Sequence, residues 1–318
     1  MNVLQSIRRL GLACLVFMTA TLASPAIAET DDLELRPDWA VGQTATYEFW
    51  TQRQRDINVS FAGRTREVTT LLASEGHSRW QVTDVAPDGS ATATMTLEWI
   101  VITLTGPDGK PLKVDSRRPG GDIPTYKELV DAIAGVPLTV KVNADGTIAS
   151  VTGLDAMRRK WSQGDFPLDE RDFIETATDT AVLPGVPPTL RPAGTWTTAF
   201  AWGHELGTLH HDLTWTLASV EDVEGIGLAT IDVAGTLRLE VDPDNLPDDA
   251  PPTDYRLTSG SFEGQVLYDL QRREAVGRNG VQEDTIVATT RLPDGRGTLQ
   301  RTTTQRLQSQ TLRVEEGD

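Results

Sequence analysis

No stretch constrains this chain more than the run from Ala91 to Leu104. It contains neither glycine nor proline, and it alternates. Ala93, Met95, Leu97, Trp99 and Val101 share one face, opposite Thr92, Thr94, Thr96 and Glu98. The second face turns apolar at Ile100, Ile102 and Leu104. A period of two rich in β-branched residues specifies a strand. This one is solvated on one side at its start and buried on both near its end. Turn sequences flank it, Pro87-Asp88-Gly89 before and Pro107-Asp108-Gly109 after.

More strands precede it. Val41 to Trp50 reads as the first, followed by segments around Ile57 to Phe61, Arg66 to Leu72 and Trp80 to Val85. Ser116 to Asp122 is a polar loop. Beyond it, Thr125 to Gly153 encodes helix, stop, strand, turn and strand. Thr125 and Glu128 have capping-box spacing. Tyr126, Leu129, Val130 and Ile133 make one helical face apolar, and Gly135 with Pro137 ends it. Leu138, Val140 and Val142 then alternate with polar residues, Asn143-Ala144-Asp145-Gly146 turns, and Thr147 to Val151 return. Short helices are expected over Leu154 to Trp161 and Leu168 to Ala177, with Asp169 and Glu170 in the first turn of the latter. Leu183 to Pro192 carries four prolines and marks a boundary between two halves.

The second half resembles the first. Gly194 to Trp202 matches Gly42 to Trp50, pairing Trp50 with Trp202. Trp80-Gln81-Val82 matches Trp215-Thr216-Leu217. Ala93, Met95 and Leu97 correspond to Ala229, Ile231 and Val233 in preserved register, and Leu138 to Val142 has a counterpart in Gly264 to Leu270. Asp242 to Asp254 is an acidic, Pro-rich loop. Thr285 to Leu292 and Thr298 to Val314 form a hairpin around Pro293-Asp294-Gly295, polar on both faces and expected at a sheet edge. The fold class is therefore α+β, β-dominated: two related antiparallel β-meander modules with short covering helices. Residues 1–28 are a signal peptide, 29–182 the first module, 183–193 a Pro-rich linker and 194–318 the second module with its C-terminal hairpin. Whether the modules share one continuous sheet or stack is open at this level.

The N-terminus reads as an export leader. Arg8 and Arg9 precede an apolar run from Gly11 to Ala23, and Ala26-Ile27-Ala28 is a small-x-small cleavage site before Glu29. The run is shorter than the ~20 residues that span a bilayer, so no integral membrane segment is expected after cleavage. Cys14 is the only cysteine, and Gly11 stands where a lipidation signal wants Leu. The cleaved chain therefore has no disulfide, thiolate nucleophile or thiolate metal site. Its location is periplasmic or extracellular. Net charge is −17, which becomes −19 when Arg8 and Arg9 leave. No basic cluster exists to neutralise phosphates, so nucleic acid is not a partner.

Three histidines lie close together: His204, His210 and His211. The metalloprotease motif needs a second His four residues after the first, and that position is Thr208. A zinc hydrolase built on the three with a carboxylate is one alternative function; solvated hairpin histidines are the plainer reading. Asp242, Asp244, Asn245, Asp248 and Asp249 could hold calcium but lack the Gly and terminal Glu of an EF-hand. There is no Gly-x-Ser-x-Gly and no phosphate-binding loop. Eight tryptophans sit mostly in or beside strands, where they pack a core or line a cavity for an apolar ligand.

With its leader, the Val-Gly-Gln-Thr opening at Val41 to Thr44, and the hairpin Leu-Thr-Val-Lys-Val-Asn-Ala-Asp-Gly-Thr-Ile from Leu138 to Ile148, the chain resembles a family of exported bacterial proteins that carries a domain-of-unknown-function label. That resemblance brings no catalytic residues. More remotely, helix on curved sheet resembles the envelope lipoprotein carriers, whose half-barrels hold acyl chains; this is likeness of fold. The expectation is a non-enzymatic exported protein, without cofactor or resident metal, that binds an apolar small molecule or an envelope protein. A structural envelope role is the other alternative.

Overall fold

A computed structural model describes residues 32–162, 168, 170–243, 251–292 and 297–314. The expected leader with Cys14, Asp169, residues 244–250 of the acidic loop and the Pro293-Asp294-Gly295 turn lie outside these residues. Twelve strands are described: β1 (Thr44–Phe61), β2 (Arg64–Val85), β3 (Ala91–Thr105), β4 (Pro111–Asp115), β5 (Pro137–Val142), β6 (Ile148–Thr152), β7 (Thr195–His204), β8 (Gly207–Val223), β9 (Ile226–Val241), β10 (Thr253–Asp269), β11 (Glu274–Arg291) and β12 (Thr298–Val314). Three helices accompany them: α1 (Pro124–Ile133), α2 (Asp155–Lys160) and α3 (Glu170–Ala181).

All the strands join one antiparallel sheet in the order β6-β5-β3-β2-β1-β12-β11-β10-β9-β8-β7, with β4 attached to β3. The two halves of the chain thus share a single sheet. Its central seam is the β1–β12 ladder, unbroken from Thr46↔Val314 to Ser60↔Gln300. The β11–β12 hairpin forms as expected, but at the centre of the sheet and not at its edge. Its polar residues find a strand of equal length and polarity in β1, in pairs such as Gln52↔Gln308 and Asn58↔Thr302. For the same reason β1 and β2 run through the polar stretches where the sequence suggested breaks. Ladder bonds on both sides hold Gln52 to Gln54 extended whatever their side chains prefer.

Two faces differ from the simple alternation. In the β2–β3 pairing, Ser78 meets Leu97 and His77 meets Trp99, so Glu98 is an extra residue. This bulge shifts the phase. Trp99 moves to the outer face and Ile100, Ile102 and Leu104 continue the inner face begun by Ala93, Met95 and Leu97. Trp50 also points outward and is 36% exposed, whereas Trp202 lines the concave face, so these two matched residues are not equivalent in space. The capping box is absent too. Helix α1 starts at Pro124, and its N-cap Ile123 makes no side-chain cap bond. Proline suits that first position because it has no N–H to leave unsatisfied.

Apolar side chains collect in two clusters. The first packs Trp80, Met95, Leu138 and Val140 against Val130 and Ile133 of α1, Met157 of α2 and Phe173 and Ala177 of α3. The second packs Trp196, Trp215, Leu217, Ile231, Val266 and Tyr268 under Leu35, Leu183, Val186 and Leu190. Close approach to the sheet needs glycine at Gly76, where an added Cβ would sit 2.4 Å from Phe49 Cζ and 2.6 Å from the Trp99 carbonyl oxygen. Gly76→Ala is therefore expected to cost about 1–3 kcal/mol, read as a lower midpoint in urea unfolding with an unchanged slope.

Candidate functional site

The strand alternation of β7 and β8 places Trp196, Thr198, Phe200, Trp202 and His204 beside Leu209, His211, Leu213, Trp215 and Leu217 on the concave face. The aromatic rings are ordered by one another. Trp196 and Trp215 stack at 5.6 Å between centroids, and Phe200 and Trp202 at 5.8 Å. Their polar tips are satisfied: the Trp215 indole N–H donates to Thr198 Oγ1 at 2.8 Å, and that of Trp196 to the Pro184 carbonyl at 3.1 Å. Phe262 on β10 completes the floor, its Cζ 2.9 Å from where a Cβ on Gly280 would stand.

Helix α3 lies against β6, β7 and β11, and its Thr178 and Asp179 border this floor. Its apolar side, with Phe173, Ala177 and Ala181, joins the first core cluster. Its C-terminal turn is held by Arg278 of β11. That guanidinium donates to the carbonyls of Thr178 and Val182, both at 2.7 Å, and to Asp179 Oδ1 at 3.3 Å. The last carbonyls of a helix lack internal partners and carry the negative end of its dipole, so a cation there answers both needs. Arg278 also lies 5.7 Å from the centre of the Trp215 ring. Between helix and floor remains a cleft of about 20 Å³, bordered by Phe200, Trp202, Leu213, Val233, Phe262 and Arg278. That holds roughly one water.

Further along the same face the lining turns polar. Arg55 of β1 donates to Glu205 Oε2 at 3.2 Å, reaching the β7–β8 turn, and to Gln305 Oε1 at 3.3 Å. Asp284 Oδ1 accepts from Gln282 at 3.1 Å and Gln305 at 3.4 Å. Burial raises the Asp284 carboxyl above the usual range, against the pull of Gln282 and nearby charges. Burial likewise pushes Glu175, on α3, up to about 8, with Asp179 adding to it and Arg53 opposing.

The three histidines do not converge. His210 and His211 are neighbours on β8, and successive strand residues face opposite ways. His210 Nε2 pairs with Glu240 Oε2 at 2.9 Å on the outer face. His211 is fully buried on the inner face, 4.1 Å from the Trp202 ring centre, and neither ring nitrogen has a hydrogen-bond partner. His204, at the hairpin end, accepts the Leu206 N–H at Nδ1. The hairpin is as expected, but His211 is not solvated, and one ion cannot bind residues on opposite faces. Among the described residues no group of three or more His, Cys, Asp or Glu side chains is placed to hold a metal ion.

Of the tryptophans, Trp202 and Trp215 border the cleft and Trp196 stacks on Trp215, while Trp80 belongs to the other cluster. Trp99 lies outside, stacked on His77 with the Arg117 guanidinium 4.0 Å from its ring centre. Sequence reasoning passed over Arg278 and the buried position of His211. The signal for His211 was present, since Leu209, Leu213, Trp215 and Leu217 share its phase. A second, open cleft of about 540 Å³ lies beside α1, lined by Lys127, Glu128, Asp131 and Lys160. Lys127 there is paired with Asp131.

No family model matches the chain, and no curated protein matches it. Among solved structures it is similar to the outer membrane protein OprG of Pseudomonas aeruginosa, 5% identical over 86% of this chain and 98% of that one, with a TM-score of 0.23. It is also similar to OccK7 (OpdD) of Pseudomonas aeruginosa, at 10% identity, 86% and 100% coverage and a TM-score of 0.20. The toluene transporter TodX of Pseudomonas putida is a third, at 9%, 86% and 89%, and 0.15. TM-scores this low carry no argument about fold or function. Among the described residues no helix is long and apolar enough to cross a membrane.

Burial holds the His211 imidazole down at about 4, below its ordinary 6.5. The folded chain keeps it neutral while the unfolded chain takes up a proton, so its share of stability is complete above pH 6.5 and drains away as pH falls to 4. The loss amounts to about 3 kcal/mol. His211→Leu should lack this part of the acid sensitivity, seen as a shallower fall of unfolding free energy between pH 7 and pH 4 in urea titrations.

Proposed function

We propose that this is a non-enzymatic exported carrier whose apolar ligand lies on the aromatic concave face of β7 to β10, beneath α3. One observation carries the reading: stacked aromatic rings form a floor, and the helix above them is fastened at its end by hydrogen bonds to a single arginine. Ligand pockets span ~300–1,000 Å³, so the present cleft is the closed form, and loading requires α3 to lift. The leader read over 1–28 supports a periplasmic or extracellular place for the chain. Division into related modules at 29–182 and 194–318 fits this picture, each contributing one side of the concavity. The metal-hydrolase alternative loses its basis with His210 and His211 on opposite faces. A scaffold would display a broad apolar patch; the large apolar side chains exposed among the described residues are Val41 before β1, Trp50 and Phe61 eleven positions apart on β1, and Leu112 on β4.

The test is binding. Protein prepared without detergent should carry a small-molecule adduct in native mass spectrometry, and a brominated acyl chain should quench its tryptophan emission. Leu213→Trp, which fills the cleft, should weaken that quenching about tenfold, the loss that follows when a core-like site is overpacked. Absence of both adduct and quenching in the wild-type chain would sink the reading.

A further inference from the structure

Arg278 also bears on what the ligand is. Within the reading of the concave face as a ligand site, we infer that the ligand is an amphiphile with an anionic head, carboxylate or phosphate, and that this head takes over Arg278 from α3.

The inference follows from what opening does to one charge. In the closed form the guanidinium has three oxygen partners, the carbonyls of Thr178 and Val182 and the carboxylate of Asp179, all on α3 or the residue directly after it. Its surroundings on the sheet side are mostly apolar, Trp215, Val233, Phe262 and Val266, with Asn279 and Ser309 the polar members of the lining, and no sheet residue carries a charge to match it there. Its side chain is 11% exposed, and its Nε has no partner even in the closed form. An arginine does not shed its proton. When α3 lifts, the cation loses its three oxygen partners and is left in a mostly apolar lining with no counter-charge. A neutral apolar ligand would cover it with nothing to accept its hydrogens, which is the costly way to bury a charge. A carboxylate or phosphate brings two or three oxygens in the fork geometry that a guanidinium matches. Its chain then runs along Phe262, Trp202 and Phe200, away from the sheet centre. The swap conserves the pairing of Arg278 in both states, so opening and loading become one exchange.

The experiment titrates the delipidated full chain with dodecanoate, monododecyl phosphate and dodecanol, following tryptophan emission and heat. The wild type should bind one or both anions about tenfold more tightly than the alcohol, the scale of a charge-assisted bidentate pair. The tighter of the two anions identifies the head. Arg278→Met should bring anion and alcohol to within about twofold of each other, with most of the change on the anion side. Asp179→Asn, which keeps the cation and weakens its internal competitor, should tighten the anion more than the alcohol. Equal binding of anions and alcohol by the wild type overturns the inference and leaves the carrier reading standing. A preserved anion preference in Arg278→Met overturns it as well. If none of the three ligands binds, the carrier reading falls and this inference with it.

Discussion

Pairing of the first strand with the last decides what the rest of the chain can do. The β1–β12 ladder joins residues 46–60 to residues 300–314, so the sheet is welded at its centre by the two ends of the sequence. Its free edges, β6 and β7, then come from the middle of the chain and are consecutive in it. Residues 153–194 must travel from one edge to the other. The short route lies across the concave side. Helix α3 is on that route, with Val151 N–H bonded to Glu170 at its start and Arg278 of β11 gripping its end. The helix above the aromatic floor is thus a consequence of where the sheet is closed, since any segment linking those edges would lie there. Closing so long a loop costs entropy before any contact repays it, and a ladder this long is what repays it.

The local code was largely legible and the long-range code was not. Helix α1, the β5–β6 hairpin and its Asn143–Gly146 turn could be read because their signals lie within a few residues. The Asn143 N–H does bond the Thr147 carbonyl, and Gly146 does take the left-handed conformation. Nothing local says that β12 should meet β1. Both are long strands whose polar faces suit an edge as well as a centre, and each has one side left over once β2 and β11 have taken the other. The Glu98 bulge escaped for a related reason: Leu97, Trp99 and Val101 alternate without fault in sequence, and the slip appears only against the spacing of β2.

Polar groups inside the concavity are not spread evenly. Arg278, Gln282, Asp284, Gln305, Arg55 and the ion pair Arg313–Glu274, 3.0 Å apart, all belong to β1, β11 and β12, the strands of the central seam, Glu205 at the β7–β8 turn being the exception. The floor made by β7, β8 and β9 is mostly apolar, with His211 the conspicuous exception. Buried ion pairs and amide networks contribute little net stability over apolar packing of the same volume. Breaking one partner is costly, because the survivor is left unpaired. Such groups therefore fix register more than they add stability. In two long polar strands whose ladder could slide by two residues without changing faces, the Asp284–Gln305–Arg55 chain makes one register the satisfied one.

That segregation gives the concave face a direction. A molecule lying across it would meet hydrogen-bonding groups toward the seam and aromatic rings toward the β7 edge. A purely apolar molecule would satisfy only the outer part, and a purely polar one only the inner part. A core that merely packs has no reason to grade its polarity across a surface, because every buried polar group adds a desolvation cost. Where the grading coincides with a helix fastened by one cation, the arrangement fits a surface that exchanges one covering for another. The chain's own α3 already shows the polar half of what an occupant would copy: it keeps its apolar side chains in the first core cluster and offers Arg278 only oxygens, those of Thr178 and Asp179 and of Val182 just beyond its end.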